Sequence, residues 1–268
     1  MKILSILLML LPMLSWGDAY ILTAPYVIPD RRDEGPDVFA LRPKMTQEMW
    51  QDSVLWLTAN LPVIDEGETT ARWLDASPQK NDAVQEVVLS QPARVKDADG
   101  NWVYRFDGAD DFVNAGPLPV TNITACLWYR YTTPATTHAL IRTDQDGAAR
   151  SWLVDRSASI LRAGVFIGET STLQSAAAPT ATNVWNHVGI SFDSSRVSLW
   201  LNGVEVSGQS LSGSMTPSSD DVLIGTARSS GSLNAFNGDM ADIVMWSVGD
   251  TNLIINTYNQ QKARYGHE

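Results

Sequence analysis

The stretch Trp185–Val206, WNHVGISFDSSRVSLWLNGVEV, decides how this chain folds. Its first part, Asn186–Phe192, alternates Val188, Ile190 and Phe192 with His187, Gly189 and Ser191, the period of two of a half-buried strand. Asp193-Ser194-Ser195 then supplies turn chemistry. Val197, Leu199 and Leu201 resume the alternation. Asn202-Gly203 follows, two residues that tolerate the positive φ of a type I′ hairpin, and Val204–Val206 returns as a third strand. The stretch predicts a β-meander.

Working outward, short apolar runs recur about every eight to twelve residues without helical periodicity, the spacing of an all-β sandwich. Strands are expected at Val54–Leu57, Ala71–Leu74, Trp102–Asp107, Phe112–Ala115, Ile123–Tyr131, His138–Thr143, Ser151–Asp155, Ile160–Ile167 and Ile243–Trp246. Leu61–Thr70, Ser171–Asn183, Ser207–Ser219 and Arg228–Leu233 read as loops, and Val84–Leu89 as irregular or edge. Short helices are expected at Met45–Asp52 and Asn252–Arg264.

The motifs W-x-H-V-x-x-S-F-D and V-x-L-W-L-N-G-V-E-V resemble the centre of laminin-G-like domains of the concanavalin A-like lectin/glucanase superfamily. Leu55–Val84 with Tyr104–Val113 is similar to that family's opening strands, and Val222–Gly225 with Phe236–Ser247 to its closing strands. The resemblance runs from Ser53 to Tyr258 and implies an all-β, two-sheet antiparallel jelly-roll sandwich. It also implies a non-catalytic recognition or structural module. Two settings fit: an exported, surface-displayed module binding glycan or protein, and a virion component such as a phage capsid decoration or tail protein. The superfamily also holds hydrolases, so these motifs specify fold better than function.

Bulk composition narrows the classes. A hydrophobic content of 44% with ten tryptophans supports a sizeable core. The formal charge of −11 argues against nucleic acid, which needs clustered Lys and Arg, and against docking on anionic lipid. Cys126 stands alone, so no intrachain disulfide forms, and its apolar strand context predicts a buried, inert thiol.

The N-terminus divides in two. Residues 1–17, MKILSILLMLLPMLSWG, have the layout of a secretory signal peptide and are too short to span a bilayer comfortably; a retained hydrophobic arm is the alternative. Residues 18–52 carry Pro25, Pro29, Pro36 and Pro43, which suit an extended arm, either lying along the sandwich or reaching a neighbouring subunit. The jelly roll is then 53–268, and the location expected is secreted or on a virion surface.

Catalytic patterns are not found. The superfamily's hydrolases resemble one another in an E-x-D-x-E or E-x-D-x-x-E strand motif that this sequence lacks, and Asp65-Glu66-Gly67-Glu68 reads as a loop beside Pro62. No G-x-S-x-G, H-E-x-x-H or nucleotide-binding glycine pattern is present. His187 reads as packed on a strand face and His267 as mobile near the chain end.

Two kinds of binding residue remain. Oxygen-rich loops suggest calcium, with Asp75, Asn81, Asp107, Asp110, Asp111 and Asp239 as ligands. The resemblance sets opening and closing strands side by side, so Asp75 and Asp239 could share a site; the alternative is that these aspartates cap turns. For a sugar, Trp152 beside the DQDGAAR loop, and the loop carrying Arg228 and Asn234, are the expected exposed recognition elements.

Overall fold

The computed structural model describes residues 47–60, 72–133, 137–144, 150–168, 170–229 and 233–268. The signal-like segment, the proline run through Pro43, the Leu61–Thr70 loop and the middle of the Arg228–Leu233 loop lie outside those residues.

In chain order the elements are α1 (Gln47–Gln51), β1 (Ser53–Leu57), β2 (Arg72–Trp73), β3 (Ala83–Val84), β4 (Ala93–Lys96), β5 (Trp102–Asp107), β6 (Val113–Pro117), β7 (Ile123–Tyr131) and β8 (His138–Thr143). Then come β9 (Trp152–Ser157), β10 (Ile160–Ile167), β11 (Thr170–Ala177), β12 (Asn186–Phe192), β13 (Arg196–Leu201), β14 (Val204–Ser210), β15 (Asp221–Ile224), β16 (Asn237–Trp246) and α2 (Thr251–Gln261). The strands build two eight-stranded antiparallel sheets. The first runs β14-β13-β12-β7-β16-β5-β4 with β1 added on β16; the second runs β11-β10-β9-β8-β15-β6-β3-β2. The fold is all-β, a sandwich of two antiparallel sheets.

The quoted meander forms the edge of the first sheet, with Val188 opposite Leu201 and Phe192 opposite Val197. Asn202 (φ 50°) and Gly203 (φ 78°) make the turn into β14, as their chemistry predicts. In the first turn, Asp193 Oδ1 accepts the Ser195 and Arg196 N–H groups, both at 2.8 Å. Inward residues of both sheets form one core, including Val188, Ile190, Phe192, Leu127, Trp152 and Val154. Trp73 stacks on Tyr104 at 4.0 Å between ring centroids, joining the second sheet to the first.

The first sheet is buried on its outer side too. The pattern predicts β12 half-exposed, yet His187, Gly189 and Ser191 are all buried. The cause is α2 and the C-terminal turn, which lie across β7 and β12. Asp250 caps α2 by accepting the Asn252 N–H at 2.9 Å. Ile254 then sits where a Cβ on Gly189 would come within 2.9 Å of it. Trp128 stacks on Tyr265 at 4.3 Å and donates from Nε1 to Gln261 at 2.8 Å. His267 is fixed, not loose: Nδ1 meets the Tyr258 hydroxyl at 3.2 Å and Nε2 the Trp185 carbonyl at 2.9 Å. Cys126 is fully buried, and desolvation pushes its thiol up to about 12.

Two expected loops contain strand. Thr170–Ala177 pairs along its whole length with β10, and β14 continues to Ser210. Both are sheet edges whose side chains are largely exposed, so they need backbone pairing but few apolar residues. No helix among the described residues is long and apolar enough to cross a membrane.

Candidate functional site: a polar groove on the outer face of the second sheet

Residues paired across strands share a face, so register identifies the side of the second sheet turned away from the core. Arg72 pairs with Val84, and Val84 with Asn114, while their neighbours Trp73, Ala83, Val113 and Ala115 face inward. The row continues from Asn114 through Leu223 and Arg142 to Leu153. At its β2-β3-β6 end the surface hollows into a groove of about 550 Å³ lined by Arg72, Lys80, Asn81, Asp82, Asn114 and Gly116, among others.

The groove's polar groups are held in place from behind. Asn114 Oδ1 accepts the Gly116 N–H at 2.7 Å, and its amide donates to Asp221 at 2.6 Å. Asp82 accepts the Asp75 N–H at 2.9 Å and pairs with Arg72 at 3.3 Å. Asn81 donates from its amide to the Val54 carbonyl at 2.9 Å. Lys80 sits in the left-handed region, φ 58°, within the turn that links Asp75 to Asp82. Of these residues sequence reading named only Asn81. For Arg72 alone a local signal existed, the alternation with Trp73 that sends one residue out and its neighbour in.

Further along the same face Asp155, 1% exposed, accepts a forked pair from Arg162 at 2.7 and 2.8 Å, with Arg142 Nη1 at 3.7 Å. Burial lowers the pKa of Arg142, only partly offset by Asp155. After β15, two described points of the chain meet β8 and its end: Ala139 N–H donates to the Asn234 carbonyl at 2.8 Å, and the Ser229 hydroxyl donates to Asp144. Arg228 and Asn234 are both half-buried, Asn234 with φ 58°.

Three sequence expectations are corrected by this geometry. Trp152 does not present its ring for stacking; it points into the core at 0% exposure, on the inward face it shares with its β10 partner Val165. Asp75 is a buried turn brace. Its oxygens accept from Trp56 N–H (2.7 Å), Ser77 N–H (2.8 Å), Ser77 hydroxyl (2.6 Å) and Asn81 N–H (2.6 Å), which leaves nothing directed at a cation. Burial nonetheless raises its pKa, against the pull of those bonds. Asp239 lies elsewhere, opposite Arg105 on β5, bonded by Arg105 at 2.8 Å and Arg130 at 2.7 Å. Asp75 and Asp239 therefore share no site, and their charges and lone pairs serve internal partners.

The Asp107-Asp110-Asp111 turn does bring three carboxylates together, with oxygens within 4.8 Å of one another, close enough to hold a hard cation. The same oxygens also brace the turn: Asp111 accepts the Asp107 N–H at 2.8 Å, Asp107 the Ala109 N–H at 2.7 Å, and Asp110 the Ser90 hydroxyl at 2.8 Å. Burial, with the charges of Asp107 and Asp110, raises the Asp111 carboxyl to about 6.

Comparison with known proteins agrees with this architecture. The chain is similar to the botulinum neurotoxin serotype D ligand-binding domain in complex with N-acetylneuraminic acid (12% identity, TM-score 0.56, 80% of this chain and 52% of that one). It is similar to the binding domain of Paraclostridial Mosquitocidal Protein 1 (10%, 0.56, 78% and 52%) and to a Trypanosoma rangeli sialidase (14%, 0.54, 79% and 33%). The chain thus spans about half or less of these proteins, and at such identities the likeness is one of fold. No curated protein sequence matches it. The sequence model described as the Concanavalin A-like lectin/glucanases superfamily matches residues 106–249, more than half of the chain, and the protein belongs to that superfamily.

Proposed function

We propose that this protein is a non-catalytic recognition module that binds a glycan in the groove across β2, β3 and β6. The observation that carries the reading is the groove's fixed polar lining: Asn114 and Asp82 are each anchored by internal bonds, so the lining keeps one arrangement and a ligand meets it at little cost in side-chain freedom. With Arg72 paired to Asp82, Lys80 leaves the described lining with one positive charge in excess, which suits an acidic sugar, the class to which the neurotoxin domain's N-acetylneuraminic acid belongs. Catalysis is disfavoured by the lining itself. Glycoside hydrolysis uses a pair of carboxylates, whereas Asp82 is the one carboxylate among the groove's described residues and is already engaged with Arg72. The signal-like start supports an exported setting for such a module.

The test is a glycan-array screen of the full chain, followed by titration calorimetry on the strongest hit. Asn114→Ala and Arg72→Ala should each weaken binding by about tenfold, the loss of one or two polar contacts. Equal affinity in both variants would remove the groove from the account.

A further inference from the structure

The segment after β3 spends buried polar groups on exposing apolar ones. Val87, Val88 and Leu89 are 58%, 64% and 84% exposed, the only run of three large apolar side chains in solvent among the described residues. Beneath them the backbone is clamped. Gln85, Ser90 and Gln91 are buried; Gln85 Oε1 accepts the Val87 N–H at 2.9 Å, and Gln91 donates to the Gln85 carbonyl at 2.8 Å. The Ser90 N–H closes a tight turn on the Val87 carbonyl at 2.9 Å, while its carbonyl accepts the Phe112 N–H at 3.1 Å. A loop free to collapse would hide three aliphatic side chains; this one is held with them outward.

Carboxylates flank the knuckle on two sides in the chain, Glu86 before it and Asp110 against Ser90 after it. Glu86 is exposed, and the bond from the Ser90 hydroxyl to Asp110 ties the knuckle to the Asp107-Asp110-Asp111 turn. That charge selects the occupant. A second copy would set acidic rim against acidic rim in a chain of charge −11. An anionic membrane would repel the same rim, and the knuckle offers neither the aromatic nor the basic residues that anchor at lipid interfaces. We infer that Glu86–Leu89 docks into another protein, in an apolar socket rimmed by Lys or Arg, with Leu89 as the central contact.

The experiment replaces Leu89 in the full chain by its diazirine analogue, irradiates it in extract of the producing cells and identifies the cross-linked segment by mass spectrometry. The same label at Val248, 45% exposed, is the control. The expected result is one protein joined through a segment with basic residues beside apolar ones. That protein, purified, should bind the chain at least about tenfold more weakly with Leu89→Asp, be unaffected by Val248→Asp, and weaken as salt rises. The fold should survive, since Leu89 packs against little, and unchanged thermal melting checks it. A segment without basic residues, self-cross-linking, no product above the Val248 control, unchanged affinity of Leu89→Asp, or Leu89-dependent flotation with phosphatidylcholine/phosphatidylglycerol vesicles would each overturn the inference. Glycan binding by Leu89→Asp is expected to be unaltered, so this result stands or falls apart from the groove.

Discussion

Asp75 shows how one side chain can hold several segments at once. Its four accepted bonds join β1, the Ser77 turn and the Asn81 backbone beside the groove. Asp75→Ala should destabilise the fold by about 3 kcal/mol, since buried N–H groups lose their partner, and urea unfolding will measure it. Asp111 makes the opposite contribution. Its carboxyl is raised from 3.8 to about 6, so between those values the folded chain holds a proton that the unfolded chain has lost. This group's contribution to stability therefore falls as pH rises from about 4 to about 6. Asp111→Asn, which keeps an oxygen for the Asp107 N–H, should flatten that part of the pH profile and raise melting temperature at pH 7; an unchanged profile would show that Asp111 titrates normally. At this scale the sequence was least legible. An oxygen-rich residue looks alike whether it faces a cation or three backbone donors, and Asp75 differs from Asp111 only in what the fold brings to it.

Strands were far more legible than sites, because a half-buried strand must alternate. Ile123–Tyr131, His138–Thr143 and Ile160–Ile167 were expected with the boundaries they have. β11 escaped because an edge strand with few large apolar residues carries no apolar period: Thr170–Ala177 is joined by backbone bonds to β10 alone, and the buried member of its packed face is the polar Gln174. The outward row Arg72-Val84-Asn114 was invisible for a related reason, since it exists only once three separate strands are in register. Trp152 failed in the other direction; tryptophan next to a loop suggested exposure, but its parity on β9 fixed it inward. The meander's second turn supplies a test at this scale. Gly203 has φ 78°, and a Cβ there would lie 2.4 Å from Tyr258 Cδ1, whereas Gly100, φ 83°, has open space. Gly100→Ala should cost about 1 kcal/mol in strain, and Gly203→Ala clearly more, by thermal melting. Equal costs would mean that Tyr258 does not pack on the turn.

Across the whole molecule, the two sheets divide their duties. The first is covered on its outer side by α2 and the C-terminal turn, where Trp128, Tyr258, Tyr265 and His267 pack together. The second keeps part of its outer face open at the groove, and the knuckle stands beside it. The proposed recognition surface is therefore the β2-β3-β6 side, while the covered sheet serves stability. Removing residues 251–268 should expose Trp128 and His187 and abolish cooperative unfolding, seen as loss of a single sharp melting transition. The central claim is tested most directly by titrating the strongest array glycan into isotope-labelled protein and following backbone amide shifts. The account predicts perturbations concentrated at Arg72, Lys80, Asn81, Asp82, Asn114 and Gly116. Saturable shifts confined to another surface, with these amides unmoved, would contradict it.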